Sequence, residues 1–277
     1  MLYKACLPTN RIEKMNTEKR KGAKSQKDVS PEILAQMNQG VIESANLTEW
    51  LCVDHKELIR YTLPTQYQQD CIAKIDLLQS KSTMSMIRAV GESLCYAAKE
   101  NKDSQLFKQL KSHASDSVRC WATYIVGADP QLSIDEKLAE IKDFAADPHF
   151  GVREISWMAV RESVTVDLNK ALQILEGWSK DADANVRRFA TESIRPNGVW
   201  CKKIDRLKTN PELALNILEN MKSDSSKYVQ DSVANWLNDA SKTRPDFVSQ
   251  LCAKWEKESA SKETAYIVKR ALRTINK

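Results

Sequence analysis

The chain has 277 residues, of which 42% are apolar, and it contains only 7 Gly and 8 Pro. This composition excludes a disordered chain, and the length is sufficient to bury a large core. No apolar run approaches the roughly 20 residues that span a bilayer, and no long apolar segment follows the N-terminus. We therefore expect neither a membrane span nor a secretory signal.

The net charge of +5 is unevenly distributed. Residues 1–27 hold eight Lys or Arg against two acidic residues, which indicates a flexible basic tail. We interpret residues 28–277 as a single helical domain. Its first helix begins at Ser30-Pro31-Glu32, because Ser is a favoured cap and Pro is favoured at the first helical position. Further core helices are predicted around residues 46–53 and at 84–99.

The cysteines and histidines show no ligand spacing. The seven cysteines lie far apart without a Cys-x-x-Cys pair, and His55, His113 and His149 have no metal-binding spacing with them. We expect reduced cysteines within a helical core, no metal site and no cofactor.

An internal repeat is the strongest signal in the sequence. Three segments, 147–152, 181–186 and 224–229, begin with aspartate and end with valine. A weaker copy has His113 in the aspartate position and Val118 in the valine position. The four valines are 34, 34 and 43 residues apart. A period in this range is typical of stacked helix pairs.

Each repeat combines a turn with an apolar helix face. The aspartate lies near a helix N-terminus, where a carboxylate complements the helix dipole. The valine starts an apolar stripe at i, i+3/i+4 and i+7 spacing, and a helix at 134–145, 167–179 or 212–222 precedes it. The Asp-x4-Val-Arg pattern favours HEAT-like repeats over tetratricopeptide repeats. We therefore predict an all-α, right-handed α-α superhelix, a HEAT-like repeat solenoid whose clearest repeats lie at 100–250.

Basic residues of the second helices are predicted to share one groove, because these helices lie on the concave side of such an array. Residues 187–208 hold seven bases against two acids, and a basic patch on a rigid scaffold attracts polyanions. Two alternatives stay open: a solvated helix face, and an ion pair of Arg187 with Asp181 or Asp224. The candidate DNA contacts from this pattern are Arg153, Arg187, Arg188, Arg195, Lys202 and Lys203.

Two tryptophans are candidates for contact with DNA. Trp200 follows a Pro-Asn-Gly turn beside two lysines, where it either contacts a sugar or cationic base or packs between repeats. Trp157 faces either the groove or the core. Glu154, one turn before Trp157, lies on the helix that also carries Arg161.

A polar helix face holds a further carboxylate. Asn235 and Asp239 are four residues apart and share a face opposite the apolar stripe, where Asn235 is a further candidate DNA contact. Asp239 either stabilises positive charge that develops on a sugar or pairs with a cation such as Lys242.

Two long motifs resemble a known family. The segment 186–200, VRRFATESIRPNGVW, resembles the signature VRRLASEGTRPRLPW of the AlkC branch of bacterial alkylpurine DNA glycosylases, within the AlkC/AlkD family. The segment 228–242, YVQDSVANWLNDASK, resembles that family's YVRRSVANHLNDIAK. Residues 21–24 and 46–54 are similar to its N-terminal motifs, and the resemblance covers roughly residues 21–256.

The resemblance implies a C-shaped HEAT-like domain that grips duplex DNA in its concave groove. The family excises positively charged N3- or N7-alkylpurines without a metal, by means of a carboxylate that stabilises an oxocarbenium-like sugar and aromatic side chains that hold the nucleotide. By position, the family's DNA-contacting tryptophan falls on Trp200, its conserved aspartate on Asp239, and the second arginine of its Val-Arg-Arg on Arg188.

The sequence departs from this family at one position. The family's EFAVR segment, which supplies a catalytic glutamate, aligns with residues 157–161 and places Trp157 at the glutamate. Glu154 lies one helical turn earlier and is a candidate substitute. Otherwise Asp239 acts alone, or the protein binds lesions without cutting.

The leading hypothesis is a monofunctional glycosylase that releases cationic alkylpurines, with Asp239, Glu154 and Trp200 as catalytic residues. It further implies a monomeric, cytoplasmic protein that associates with the nucleoid when it engages alkylated double-stranded DNA. A non-catalytic binder of duplex DNA or of lesions is the alternative, and a protein-interaction solenoid is a third reading.

Overall fold

The described part of the chain, residues 20–198 and 200–277 of a computed structural model, consists of helices and loops without a strand. Short 3-10 helices occur at Gln26–Asp28, Pro211–Ala214 and Leu272–Thr274. The α-helices are α1 (Pro31–Asn38), α2 (Leu47–Trp50), α3 (His55–Thr62), α4 (Thr65–Asp76), α5 (Thr83–Glu100), α6 (Leu106–Lys111), α7 (Asp116–Ala128), α8 (Ile134–Ala145), α9 (Phe150–Val166), α10 (Leu168–Trp178), α11 (Ala184–Glu192), α12 (Asp205–Thr209), α13 (Leu215–Asn220), α14 (Lys227–Ala240), α15 (Pro245–Glu258) and α16 (Lys262–Ala271).

The helix starts follow the predicted capping chemistry. The Ser30 hydroxyl accepts a hydrogen bond from the Ile33 N–H at 3.3 Å, and Pro31 is the first residue of α1. At the start of α8, Ser133 and Glu136 each bind the other's backbone N–H in a capping box. The predicted helix start at Ser30-Pro31 and the predicted helix at 134–145 are confirmed.

The turn that opens each repeat has one geometry. The carboxylates of Asp147, Asp181 and Asp224 each accept a hydrogen bond from the N–H two residues later, at 2.7, 2.9 and 2.8 Å. The Nδ1 atom of His113 replaces a carboxylate oxygen and accepts from the Ser115 N–H at 3.0 Å. The predicted repeat register is therefore confirmed, including its weaker copy.

A further repeat lies beyond the predicted range of 100–250. Here the hydroxyl of Ser259 accepts from the Ser261 N–H at 3.3 Å, as the aspartates do elsewhere. Five positions after Ser259, where the other repeats have valine, the fully buried Thr264 begins the apolar face of α16. The sequence pattern missed this repeat because serine and threonine replace the aspartate and valine that define the motif.

The arginines after Val118 and Val186 join neighbouring repeats. Arg119 and Arg187 each donate hydrogen bonds to the carbonyl oxygens five and six residues earlier. Each also pairs with the aspartate of the following repeat: Arg119 with Asp147 at 2.8 Å and Arg187 with Asp224 at 2.6 Å. For Arg187 the structure therefore shows the ion pair, and its guanidinium links repeats rather than facing an open groove.

The predicted tail is in contact with the helical domain from Arg20 onward. The Glu49 carboxylate, 2% exposed, accepts hydrogen bonds from Arg20 at 2.7 Å and from the Ala23 and Ala45 N–H groups at 3.0 and 2.8 Å. Burial opposes ionisation of Glu49, but these hydrogen bonds outweigh it and lower its pKa. The predicted flexible tail therefore does not extend to residue 27, and residues 1–19 lie outside the described residues.

One hydrophobic core runs through the stacked pairs, from Met37 to Ala271. It contains the buried cysteines at 71, 95, 120 and 252, and burial raises the pKa of each thiol. Within the ranges that the structure describes, no helix is long and apolar enough to cross a bilayer.

Candidate nucleic-acid interface

An apolar recess of about 270 Å³ lies between α2, the start of α5, α9 and the loop after α11. Glu154 supplies the one ionisable side chain among its described lining residues. The recess therefore combines a carboxylate with apolar and aromatic walls, which suits a flat ligand that carries positive charge. Its lining is Leu47, Trp50, Met84, Phe150, Gly151, Glu154, Ile155, Met158 and Trp200.

Aromatic rings form part of the wall. Trp50 packs edge-on against Phe150, with ring centroids 6.3 Å apart, and Phe150 lies 4.5 Å from the ring of His149. Trp50 lies in one of the predicted core helices, whereas no sequence pattern indicated a role for Phe150. No local pattern brings these residues together, because α2 and α9 are about a hundred positions apart in the chain and meet only through the tertiary fold.

Trp200 stands out from the other tryptophans. Its side chain is 70% exposed, whereas the other six, all within the described ranges, are 8% exposed or less. Its backbone φ is +57°, a left-handed conformation that is uncommon for a residue other than glycine. Of the two alternatives for Trp200, packing between repeats is therefore excluded, and the ring lies at the recess.

Glu154 is held by two donors. The Arg188 guanidinium donates to one carboxylate oxygen at 2.6 Å, and the indole N–H of Trp157 donates to the other at 3.0 Å. The Glu154 side chain remains 30% exposed and lines the recess. The guanidinium of Arg188 also stacks on the ring of Tyr228, 4.1 Å from its centroid. The carboxylate is thus fixed in orientation and still accessible.

Trp157 does not face the groove. Its side chain is 1% exposed, so a role as a direct DNA contact does not fit its placement. The helical periodicity did not decide between the groove and the core for Trp157, because the residue lies at the border between the core face and the polar face of α9. The structure places the ring in the core and its N–H at Glu154.

Asp239 lies outside the recess. Its side chain is 6% exposed and accepts hydrogen bonds from Arg195 at 2.7 and 3.0 Å, and from Lys242 at 2.9 Å. The predicted pairing with Lys242 is present. Burial opposes the charge of Arg195, but Glu192 and Asp239 outweigh this and raise its pKa. This arrangement is a buried ion-pair network that fixes the end of α11 against α14.

The remaining predicted DNA contacts divide into two groups. Lys202 and Lys203 are exposed and follow Trp200 after Cys201. Arg153 and Asn235 bind within the fold: Arg153 donates to the carbonyl oxygens of residues 147 and 148, and Asn235 accepts from Arg273 at 2.9 Å. The structure thus brings Glu154 and Trp200 to one recess, with Arg188 behind the carboxylate. Across the described ranges, no group of three or more His, Cys, Asp or Glu is arranged to hold a metal ion.

Comparison with known proteins identifies the segment that carries most of these residues. Residues 152–275 match the family model described as DNA alkylation repair enzyme. The uncharacterized protein YhaZ of Bacillus subtilis is 40% identical over 122 residues, which are 44% of this chain and 34% of YhaZ. The match thus spans about a third of the length of that curated relative.

Two solved structures share the fold. One is the Pseudomonas fluorescens alkylpurine DNA glycosylase AlkC, bound to DNA containing an abasic site analog. Its TM-score with this chain is 0.66 and its sequence identity is 24%. The superposition covers 92% of this chain and 66% of the AlkC chain. The other is AlkD2 from Streptococcus mutans, with a TM-score of 0.54 and 25% sequence identity. This superposition covers 75% of this chain and 98% of the AlkD2 chain.

These similarities confirm the predicted all-α, HEAT-like repeat fold and the resemblance to AlkC and AlkD. At the level of the fold, the wider coverage by AlkC agrees with the AlkC branch. Glu154, Arg188, Trp200 and Asp239 all lie within the matched segment. Residues 152–275 of this chain are thus similar to the DNA alkylation repair enzymes.

Proposed function

We propose that this protein is a monofunctional DNA glycosylase that excises cationic N3- or N7-alkylpurines from duplex DNA. The observation that carries the proposal is the recess in which the accessible carboxylate of Glu154 and the exposed ring of Trp200 meet, within the segment of the DNA alkylation repair family. The AlkC that shares the fold is named as an alkylpurine DNA glycosylase and was captured on DNA, which supports the same substrate class.

The chemistry requires little of the protein beyond charge and shape. In a cationic alkylpurine the glycosidic bond breaks with its electron pair going to the base, which leaves as a neutral purine. The sugar becomes oxocarbenium-like, and a water adds to C1′ and loses a proton. The Glu154 carboxylate stabilises the positive sugar, and the apolar walls strengthen this interaction because they exclude water.

The groups behind Glu154 position it. Arg188 and the Trp157 N–H each occupy one carboxylate oxygen, so the side chain does not have to reorganise during the reaction. Arg188 also lies 3.6 Å from Glu192, which in turn pairs with Arg195. Its guanidinium is therefore shared between two carboxylates and does not belong to Glu154 alone.

The surface beside the recess suits duplex DNA. Lys202 and Lys203 are exposed next to Trp200, and we assign them to phosphate contacts. We expect weaker DNA contacts from three other side chains, since each already binds a neighbouring group: Arg153, Arg187 and Asn235. We assign Asp239 and Arg195 an indirect role, in which their ion pair supports the end of α11 that leads to Trp200. The protein acts as a monomer.

A non-catalytic lesion binder is the second candidate. It is favoured by Trp157, which occupies the aligned position of the family's glutamate, and by the ion pair that ties Glu154 to Arg188. Such a protein keeps the recess and the basic surface but releases no base.

Incubation of the protein with methylated duplex DNA separates the two candidates. Free N3-methyladenine and N7-methylguanine are measured by chromatography and mass spectrometry, and fluorescence anisotropy measures duplex binding in parallel. A glycosylase releases alkylpurines above the spontaneous rate and leaves an unmethylated duplex unchanged. Tight, salt-sensitive binding without release supports the binder, and the absence of both rejects both candidates.

A further inference from the structure

The loop that carries Trp200 has an unfavourable backbone. It connects α11, which ends at Glu192, to α12, which begins at Asp205. Gly198 and Trp200 both have positive φ, +55° and +57°. Glycine adopts such a conformation readily, whereas for tryptophan it is energetically unfavourable. Surrounding contacts must therefore hold the loop in place.

Arg161 of α9 supplies such contacts from inside the fold. Its guanidinium donates to the carbonyl oxygen of Ser193 at 3.0 Å, of Arg195 at 2.7 Å and of Lys202 at 3.0 Å. The first two acceptors precede Trp200 in the chain and the third follows it. One rigid planar group thus binds both sides of the loop.

The packing around this guanidinium is close. Arg161 is 3% exposed, and a Cβ added at Gly198 would lie 2.3 Å from the Sγ atom of Cys201 and 3.0 Å from the Nη2 atom of Arg161. The absence of a side chain at Gly198 therefore lets the loop pass close to both groups. These contacts, together with the positive φ, explain why glycine occupies the position.

Arg161 differs in its charge balance from the arginines that join neighbouring repeats. Arg119 and Arg187 bind backbone carbonyls and also pair with a carboxylate. Among the described residues, no carboxylate lies within ion-pair distance of Arg161, and burial lowers its pKa. A buried cation is costly unless its N–H groups are satisfied, so the three loop carbonyls are what stabilises it.

We propose that Arg161 is a positioning residue that holds the loop between Ser193 and Lys202 so that the ring of Trp200 lies at the recess beside Glu154. The loop base is closed separately by the Ile204 N–H, which donates to the Pro196 carbonyl at 2.9 Å. Arg161 therefore sets the position of the loop relative to α9. The part of this proposal that concerns excision rests on the proposed function, whereas the part that concerns loop order does not.

The first test needs no substrate. Trypsin cleavage after Lys202 or Lys203, followed by mass spectrometry under native conditions, reports opening of the loop. We expect Arg161→Met to be cleaved at least about tenfold faster than the wild type, because three hydrogen bonds to a charged donor are lost. Arg161→Lys keeps the charge but lacks the planar, forked guanidinium, so its cleavage rate should lie between those of the wild type and Arg161→Met.

Arg119→Met is the matched control for loss of a buried arginine. It should lower the melting temperature while leaving cleavage after Lys202 and Lys203 at the wild-type rate. If Arg161→Met is cleaved no faster than Arg119→Met at equal stability, the loop is held by other contacts and the proposal is overturned.

The second test uses excision from methylated duplex DNA. Arg161→Met, Trp200→Ala and the double variant are compared in single-turnover kinetics. If Arg161 acts through Trp200, the double variant is no slower than Trp200→Ala alone, whereas multiplying effects overturn the proposal. A wild type that releases no base while the Arg161→Met loop opens would reject the proposed function and leave the positioning role intact.

Discussion

The indole N–H of Trp157 donates a hydrogen bond to the carboxylate of Glu154 at 3.0 Å, one helical turn away on α9. Trp157 occupies the position at which the aligned family motif has its glutamate. In the proposed function, Glu154 takes the role of that glutamate from one turn earlier on the helix, and Trp157 supports its carboxylate. This relationship reconciles the departure in the motif with a carboxylate in the recess.

Trp157→Phe tests this support. The substitution keeps a buried aromatic ring and removes the N–H, so Glu154 loses one of its two donors. Hydrogen bonds to charged groups contribute about 1.5–3 kcal/mol, so we expect single-turnover excision to fall roughly tenfold or more. Trp121→Phe, which removes another buried indole N–H that donates to His55 and not to Glu154, should lower stability with less than a twofold effect on excision. Equal effects of the two substitutions would contradict a role for Trp157 at Glu154.

The lysines beside Trp200 should appear in the salt dependence of binding. Replacing both Lys202 and Lys203 by Gln should reduce the slope of log K against log salt by about 2, since each phosphate contact contributes about 0.9. Lys257→Gln, an exposed lysine of α15, is the control and should leave the slope unchanged. Anisotropy titrations with an undamaged duplex at several salt concentrations measure these slopes. If the double variant keeps the wild-type slope, Lys202 and Lys203 do not contact phosphates and the DNA binds at another surface.

Asp239→Asn separates a structural role from a chemical one. The substitution removes a buried charge that pairs with Arg195 and Lys242, and loss of one partner of such a pair costs about 3 kcal/mol. We expect a clearly lower free energy of unfolding in urea. Excision measured well below the melting temperature should fall less than about tenfold, because Asp239 does not line the recess. A loss of a hundredfold in a folded variant would instead assign the carboxylate to the chemistry.

The repeat pattern predicted most of the fold because it repeats a physical requirement. Each repeat needs a hydrogen-bond acceptor to close its turn and an apolar stripe to pack. In most repeats the acceptor is an aspartate, the first residue of the stripe is valine and the next residue is arginine, and these residue types recur at one spacing. The unit that begins at Ser259 escaped detection because a hydroxyl can accept the same hydrogen bond as a carboxylate.

The site was less predictable than the fold. Trp200 and Glu154 could be selected from local context and resemblance, but the wall formed by Trp50 and Phe150 depends on contacts between distant helices. The pairing of Arg187 with Asp224 likewise decides whether this arginine is available for DNA. Spacing within one helix does not determine that pairing, because the two residues belong to different repeats. Long-range contacts, which leave no local pattern, account for what the sequence did not reveal.

His55 predicts a pH dependence of stability. Full burial lowers its pKa from the ordinary 6.5 to about 4, and its Nδ1 accepts a hydrogen bond from the Trp121 indole at 3.3 Å. Between these two values the unfolded chain binds more protons than the folded one, so stability falls as the pH falls from 6.5 towards 4. From pH 7 to pH 5 this residue should remove about 2 kcal/mol.

His55→Asn is the comparison, since an amide oxygen can accept from Trp121 but does not titrate. Urea unfolding at both pH values should show a smaller loss for the variant than for the wild type. The contributions of carboxylates to the change in the free energy of unfolding are the same in both proteins and cancel in the comparison. Identical losses would mean that His55 is not held neutral in the folded state.

The most direct measurement of the central claim is single-turnover release of alkylpurines by wild type, Glu154→Gln and Glu162→Gln from the same methylated duplex. Glu162 is an exposed carboxylate on the same helix and controls for loss of one charge. We predict that Glu154→Gln binds the duplex but excises at least about a hundredfold more slowly, while Glu162→Gln equals the wild type. Excision by a folded Glu154→Gln at the wild-type rate would contradict the assignment of the recess carboxylate to the chemistry.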